Sequence, residues 1–227
     1  MKTIISVIML IMMTTLSYAN DIYVTQSGNA LDLDITQDGE NNTVGNSTTA
    51  STSTGATTIL NIDQIGNSNV ITYQINGATY TGVINLVGSS NNVDLNCDST
   101  GGNSSCGSAN AVINFTGSSN DIDLDIGQTS SASSADVDIV GQTGSDSNVV
   151  AATVDGNSAV LTITINGDTN NYLIDIDGNG DVNGHTLIHS HTGGIADVDI
   201  IQSGTNDNMI TLTTSGDNAD IDISQTD

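Results

Sequence analysis

Leu31-Asp32-Leu33-Asp34-Ile35-Thr36-Gln37-Asp38-Gly39 is a run in which every second residue is apolar until a glutamine and a glycine close it. Such alternation places Leu31, Leu33 and Ile35 on one face of a strand and the aspartates and threonine on the other. The same sentence recurs on both sides. Ile22-Tyr23-Val24-Thr25-Gln26-Ser27-Gly28 precedes it and Leu60-Asn61-Ile62-Asp63-Gln64-Ile65-Gly66 follows. Turn glycines punctuate the chain at Gly28, Gly39, Gly66, Gly77, Gly88, Gly117, Gly144, Gly156, Gly167, Gly178, Gly204 and Gly216, most neighbours being about 11 positions apart. A unit of that length is one strand and one tight turn, and two units make a coil of about 22 residues. Each unit buries its apolar face only by stacking on its neighbours. The expectation is an all-β fold, a two-sided β-solenoid of β-arch coils. About nine coils at roughly 4.8 Å each give a rod roughly 45 Å long. A β-sandwich also shows short strands with regular turn signals; the near-constant spacing and the recurring glutamine favour the solenoid. Two longer gaps between glycines hold the low-complexity stretches Thr43–Thr54 and Asn96–Gly107, which read as insertions at turns.

Composition agrees with a layered sheet. The 227 residues include no Pro and no Trp, aromatic residues are 3%, and Ile, Val, Leu and Ala must supply the core. The polar positions are Asp, Asn, Ser, Thr and Gly, all poor helix formers. Asp and Glu total 26 against a single Lys or Arg, Lys2, giving a formal charge of −25. With no basic patch, nucleic acid and anionic membrane surfaces are excluded as partners.

Met1-Lys2, an apolar run to Leu16 and Ser17-Tyr18-Ala19 have the three parts of a secretory signal peptide, residues 1–19, with cleavage after Ala19. The remainder, residues 20–227, is expected as one exported repeat domain without Lys or Arg and without membrane insertion. In that compartment Cys97 and Cys106, the two cysteines, read as a disulfide across the base of the second insertion.

The glutamine before the glycine appears as Gln26-Ser27-Gly28, Gln37-Asp38-Gly39, Gln64-Ile65-Gly66, Gln142-Thr143-Gly144 and Gln202-Ser203-Gly204. Asparagine follows at Asn42 and Asn69, and with one extra residue at Asn148 and Asn208. The middle units keep only Gly-Ser-Ser-Asn, at Gly88–Asn91 and Gly117–Asn120. This pattern resembles the curlin repeat of bacterial curli subunits, Gln-x-Gly-x-x-Asn with a second glutamine closing the unit, as Gln74 does after Gln64. Stacked amides of this kind form hydrogen-bonded ladders along a rod. The resemblance implies a secreted subunit that polymerises into extracellular amyloid-like fibres for adhesion and biofilm matrix, with itself, an export pore and chaperones as partners.

Strand-like residues start at Ile22 and run to Gln225, so both extremities of the solenoid are expected as open strand edges that template the next copy head to tail. Charge opposes this. Asp32, Asp34, Asp121, Asp123, Asp125, Asp136, Asp138, Asp197, Asp199, Asp220 and Asp222 fall on outward positions, where like charges stacked about 4.8 Å apart repel by roughly 0.9 kcal/mol per pair in water. The competing reading is a monomeric acidic solenoid that binds calcium or mineral. Asp175, Asp177, Asn179 and Asp181 carry the opening spacing of an EF-hand-type loop around Gly178, but Thr186 stands where a bidentate Glu belongs. His185, His189 and His191 are expected as solvent-facing residues, with His189 and His191 on one face. Thr162 with Thr164 and Thr211 with Thr213 are isolated Thr-x-Thr pairs. No carboxylate pair is marked out by an aromatic sugar platform or a basic clamp, so no catalytic residue and no cofactor is expected, calcium excepted.

Overall fold

In the computed structural model the chain is all-β, a solenoid of about seven turns whose parallel strands stack rung on rung. The structure describes residues 21–39, 42–45, 48–66, 68–97, 106–127, 134–156, 158–177, 185–204 and 208–226. Residues 1–19, read from the sequence as a signal peptide, lie outside these. The strands are β1 (Asp21–Ile22), β2 (Thr25–Ser27), β3 (Ala30–Asp38), β4 (Thr43–Val44), β5 (Ser51–Ile65), β6 (Val70–Val87), β7 (Asn92–Cys97), β8 (Ser108–Thr116) and β9 (Asp121–Ile126). They continue as β10 (Ser134–Gly141), β11 (Val149–Asp155), β12 (Ala159–Asn166), β13 (Asn170–Asp177), β14 (Thr186–Thr192), β15 (Ala196–Ser203), β16 (Met209–Ser215) and β17 (Ala219–Thr226).

Two faces result. The first sheet stacks β3, the second half of β5, the second half of β6, then β8, β10, β12, β14 and β16. The second stacks β1 with β2, β4 with the first part of β5, the first part of β6, then β7, β9, β11, β13, β15 and β17. Every pairing is parallel and in register, so a side chain meets the equivalent residue of the next coil. Coil lengths vary between 22 and 29 residues. Because most coils are longer than 22 residues, the rod has fewer turns than a uniform 22-residue coil gives.

The alternation seen in the sequence is the burial pattern. Ile62, Ile84, Ile113, Ile139 and Ile163 form one fully buried column of the first sheet, and Val93, Ile122, Val150, Tyr172 and Val198 one of the second.

Not every punctuating glycine makes a turn. The strands β5 and β6 run through their corners, so Gly77 lies within a strand and not at its end. Its carbonyl-facing side is closed by Gly55 of the previous coil, leaving no room for a Cβ. Gly156 does stand at a corner, between the end of β11 and the start of β12. It is buried and continues the ladder past β11, its N–H donating to the Asp177 carbonyl of the next coil at 3.2 Å. The spacing of glycines reports the coil period, but the hydrogen-bond ladder of the neighbouring coil decides whether the backbone bends there. Gly216 does bend, between β16 and β17 at φ +153°, over the carbonyl of Gly193. Lying in the last coil, it is exposed, whereas Gly66, Gly88, Gly117 and Gly167 in the interior are half-buried or buried.

The insertion at Thr43–Thr54 is narrower than expected. Thr43 and Val44 form β4, and Ser51–Thr54 open β5, hydrogen-bonded between β2 and β6. Gly45 still donates its N–H to the Ile22 carbonyl at 2.8 Å. Ser51 and Ser53 are fully buried, and Ser53 Oγ lies 3.0 Å from Thr58 Oγ1. Small hydroxyls fill inward positions there, so a pattern read from apolar residues passes over them. In the second insertion, Asn96 and Cys97 end β7, and Cys106 and Gly107 lead into β8.

Candidate functional site

The residues that make one coil recognise the next sit at the arch leading from the first sheet to the second. Asn42, Asn69, Asn91, Asn120, Asn148 and Asn170 occupy successive coils there, each at most 2% exposed. The backbone N–H of each donates to the side-chain Oδ1 of the next: Asn42 to Asn69 at 3.3 Å, Asn69 to Asn91 at 3.1 Å, Asn91 to Asn120 at 3.1 Å, Asn120 to Asn148 at 2.8 Å and Asn148 to Asn170 at 2.9 Å. At Asn69, Asn91, Asn120 and Asn170 the Nδ2 donates to the carbonyl of the glycine three residues earlier, at 2.9–3.1 Å for all but Asn120, where it is 2.8 Å. One amide thus closes its own turn and caps the coil beside it. The residue before each asparagine from Asn69 to Asn170 takes the left-handed conformation: Ser68, Ser90, Ser119, Ser147 and Thr169 have φ between 56° and 63°. The Gly-Ser-Ser-Asn turns of the middle units therefore keep the ladder although they lack glutamine.

Glutamine behaves differently. Gln37 and Gln64 are buried and stacked, with Gln64 Nε2 donating to Gln37 Oε1 at 2.7 Å. Gln225 Nε2 donates to Gln202 Oε1 at 3.2 Å, and Gln202 Nε2 to the His185 carbonyl at 3.1 Å. These two dyads stand at opposite ends of the rod. They also belong to different sheets: past Gln64 the first-sheet column reads Leu86, Phe115, Gly141 and Ile165, and before Gln202 the second-sheet column reads Cys97, Ile126, Val154 and Ile176, so the expected glutamine ladder is broken by an apolar core. Gln64 Oε1, facing Leu86, has no donor. Gln26 is half-buried in the first coil and donates to the Ala30 carbonyl at 3.3 Å. Two residues depart from the ladder altogether. Gln74 points outward between Thr52 and Asn96, because β6 keeps its inward phase on Tyr73 and Ile75. Gln142 is exposed: the extra residue in Gly144–Asn148 folds a local turn, in which Ser145 N–H donates to the Gln142 carbonyl and Ser145 takes the buried place.

At the opposite arch, Asn208 Oδ1 accepts from the His185 N–H at 3.2 Å, and His185 Nδ1 accepts from the Ala159 N–H at 3.3 Å. His185 does there what asparagine does elsewhere. All three histidines are buried, contrary to the solvent-facing expectation. His189 and His191 do share a face, but it is the inward one, in columns with Ile163 and Ile165. His191 Nδ1 lies 2.9 Å from the Tyr172 hydroxyl, and the His189 ring packs edge-on against Tyr172 at 4.4 Å between centroids. Neither ring nitrogen of His189 has a hydrogen-bond partner. Burial, with the neighbouring His191 adding to it, pushes the His189 pKa down to about 4.

The sign of the resulting pH effect is fixed. The unfolded chain binds this proton near pH 6.5 and the folded chain only near pH 4, so stability is lost as pH falls across that window. The loss amounts to about 3 kcal/mol, taking about 1.4 kcal/mol for each tenfold change in proton affinity. His189→Leu, whose column neighbours are Ile163 and Leu212, is expected to remove that loss. Urea midpoints at pH 7 and pH 4.5 should diverge for the native chain and converge for the variant; equal slopes in the two proteins refute the assignment.

Cys97 and Cys106 form a disulfide with Cα atoms 5.5 Å apart, both residues buried in the core. Of the calcium candidates, Asp175 and Asp177 end β13, where Asp175 stands between Thr153 and Ile201; Asn179, Asp181 and the turn glycine Gly178 lie outside the described residues. Among the described residues no group of three metal-ligating side chains converges. The outward aspartates are less stacked than their abundance suggests. Asp94 with Asp123, Asp197 with Asp220 and Asp199 with Asp222 meet on the second sheet. Others face asparagine: Asn61 Nδ2 donates to Asp34 at 2.8 Å and Asn85 to Asp63 at 2.6 Å. Desolvation, then the charge of the neighbouring Asp123, raises the Asp94 pKa; Asp123 is raised by desolvation, then Asp125 and Asp121. The outer face of β12, β14 and β16 carries no carboxylate. Thr162, Ile188 and Thr211 align there, as do Thr164, Ser190 and Thr213.

The two terminal coils are the incomplete part of the molecule. Inward residues that are buried elsewhere are half-exposed in β1 to β3 (Ile22, Val24, Leu31, Leu33) and in β16 and β17 (Ile210, Leu212, Ile221), while Ile223 is 48% exposed. No protein-family model, no curated protein and no solved structure matches this chain.

Proposed function

We propose that this chain is an exported structural subunit, curlin-like, that polymerises head to tail into extracellular amyloid-like fibres serving adhesion and biofilm matrix, with no catalytic role. The reading takes the chain to a bacterial cell surface by way of an export pore and chaperones. The observation that carries it is the pair of unfinished ends. Every interior strand is hydrogen-bonded on both sides, whereas the terminal coils of the described residues present open strand edges and half-exposed inward residues. Parallel in-register edges of this kind are templates for another copy. The two partners needed, an apolar set and a glutamine, are present at each end: Ile22, Val24 and Gln26 at one, Ile221, Ile223 and Gln225 at the other.

Purified chain incubated at neutral pH is expected to give thioflavin-positive filaments by electron microscopy. A persistent monomer whose melting depends on calcium would favour the acidic calcium or mineral binder instead. Growth should quicken on addition of salt or calcium. Two copies of a chain with a formal charge of −25 repel as they approach, and screening or bridging of the outward aspartates lowers that repulsion. Elongation rates measured from preformed seeds test this; rates independent of salt and calcium contradict the electrostatic restraint.

A further inference from the structure

Among the described residues the two sheets do not hold equal numbers of rungs. The second sheet has nine, from β1 with β2 to β17, and the first has eight, from β3 to β16. This matters for a head-to-tail joint, on which the following rests. If a second copy adds its β1 and β2 directly onto β17, the second sheet is continuous, but its β3 then lies two rungs from β16. A gap of about 9.6 Å opens in the first sheet, twice the usual strand spacing, with unpaired backbone groups on both sides that are costly to bury.

The gap disappears if β17 takes the place of β1 and β2 beside the second coil of the next copy. The residues fit that exchange. In β1 and β2 the inward positions are Ile22, Val24 and Gln26, and in β17 they are Ile221, Ile223 and Gln225, so both segments present the same kinds of side chain at the same steps. Gln26 is opposite Ser53, the place Gln225 would inherit. The first sheet then closes as well, Ile210 meeting Leu33, Leu212 meeting Ile35 and Thr214 meeting Gln37, with Thr211 against Asp34 and Thr213 against Thr36 on the outside. No like charges are opposed in that sheet. The segment to be displaced is weakly held. β1 has two residues and β2 three, none fully buried, against eight continuous residues in β17.

We infer that Asp21–Ser27 is a placeholder strand, filling in the monomer the groove that β17 of a second copy occupies in the fibre. Exchange makes each subunit contribute eight rungs to each sheet, an axial repeat of about 38 Å, whereas simple addition gives nine and about 43 Å. The double variant Ile22→Asp/Val24→Asp loosens the placeholder without touching the exchanged joint. It is expected to shorten the lag of fibre formation severalfold, whereas it would lengthen the lag if β1 and β2 were themselves the docking strand. Cross-linking fixes the register independently. Thr54 is opposite Ser27, and the described cysteines are all disulfide-bonded. In oxidised fibres a Thr54→Cys/Thr226→Cys chain should therefore couple between subunits, with a repeat near 38 Å. Coupling in Ser27→Cys/Thr226→Cys fibres, with a repeat near 43 Å, overturns the exchange while leaving head-to-tail assembly standing. Failure of the native chain to form any fibre overturns the assembly reading itself, and the exchange with it.

Discussion

Gly117→Ala is expected to cost about 3–5 kcal/mol, enough to melt the middle of the solenoid. Gly117 has φ +118°, a conformation that alanine adopts only under strain of about 1–3 kcal/mol. The added Cβ would also point into the carbonyl of Gly88 on the preceding coil. Backbone cannot swing aside as a flexible side chain does, so the two coils must part, and overpacking of this kind adds about 1–3 kcal/mol. The same movement pulls the Gly117 carbonyl from Asn120 Nδ2. Gly144 supplies the comparison. It too has positive φ, +84°, but a Cβ there meets nothing within 4 Å. Gly144→Ala should lose only the conformational part, about 1–2 kcal/mol. Urea melts of both variants decide the matter: equal losses would mean that the coil-to-coil approach of the glycines is not a constraint.

Asn120→Ala is the second large effect, also about 3–5 kcal/mol. The substitution strands the buried Asn91 N–H that donates to Oδ1 and takes its donor from the half-buried Gly117 carbonyl that accepts from Nδ2. Each buried group left without a partner costs about 1–3 kcal/mol. Asn120 Nδ2 also donates to Asn148 Oδ1 at 3.1 Å, a bond that is lost while the backbone N–H of residue 120 keeps its own bond to the same oxygen, so the ladder is cut on the Asn91 side. Asn110→Ala, at an exposed outward position one strand away, should change stability by no more than about 0.5 kcal/mol. Chemical denaturation of the pair, with amide exchange at Asn91 as a local readout, distinguishes a ladder from a set of unrelated surface turns.

The solenoid was legible because its strands obey a period of two and its glycines a period near eleven. Both signals arise from side-chain geometry repeated in every coil. The asparagine ladder was half legible. Asn42, Asn69 and Asn148 followed glutamine motifs, and the Gly-Ser-Ser-Asn turns marked Asn91 and Asn120, but Asn170, after Gly167-Asp168-Thr169, had no such cue. Its role depends on the neighbouring coil, which local sequence does not contain. Glutamine misled for the same reason. Gln74 and Gln142 match the motif in letters, but the inward phase of Tyr73 and Ile75 turns one outward, and one added turn residue ejects the other. Gly77 kept the period inside a strand, since the adjacent coil holds it in the ladder opposite Gly55. The histidines were misplaced because polar residues default to solvent in a sequence reading, whereas His185 substitutes for asparagine at an arch and His189 sits where its column holds Ile163 and Leu212. Small hydroxyls at Ser51 and Ser53 hid a strand inside an apparent insertion.

The disulfide between Cys97 and Cys106 places both ends of the intervening segment 5.5 Å apart at the arch opposite the asparagine ladder. Foreign peptides spliced into that segment would leave from a clamped base, so their length would not be transmitted to the rungs on either side. The opposite edge offers less freedom, since an extra residue there must be folded into the turn while the asparagine stays on its rung, as in Gly144–Asn148. One side of this protein is consequently a display rail and the other a spine, and an engineer seeking to decorate it should work on the side the cystine has already made tolerant.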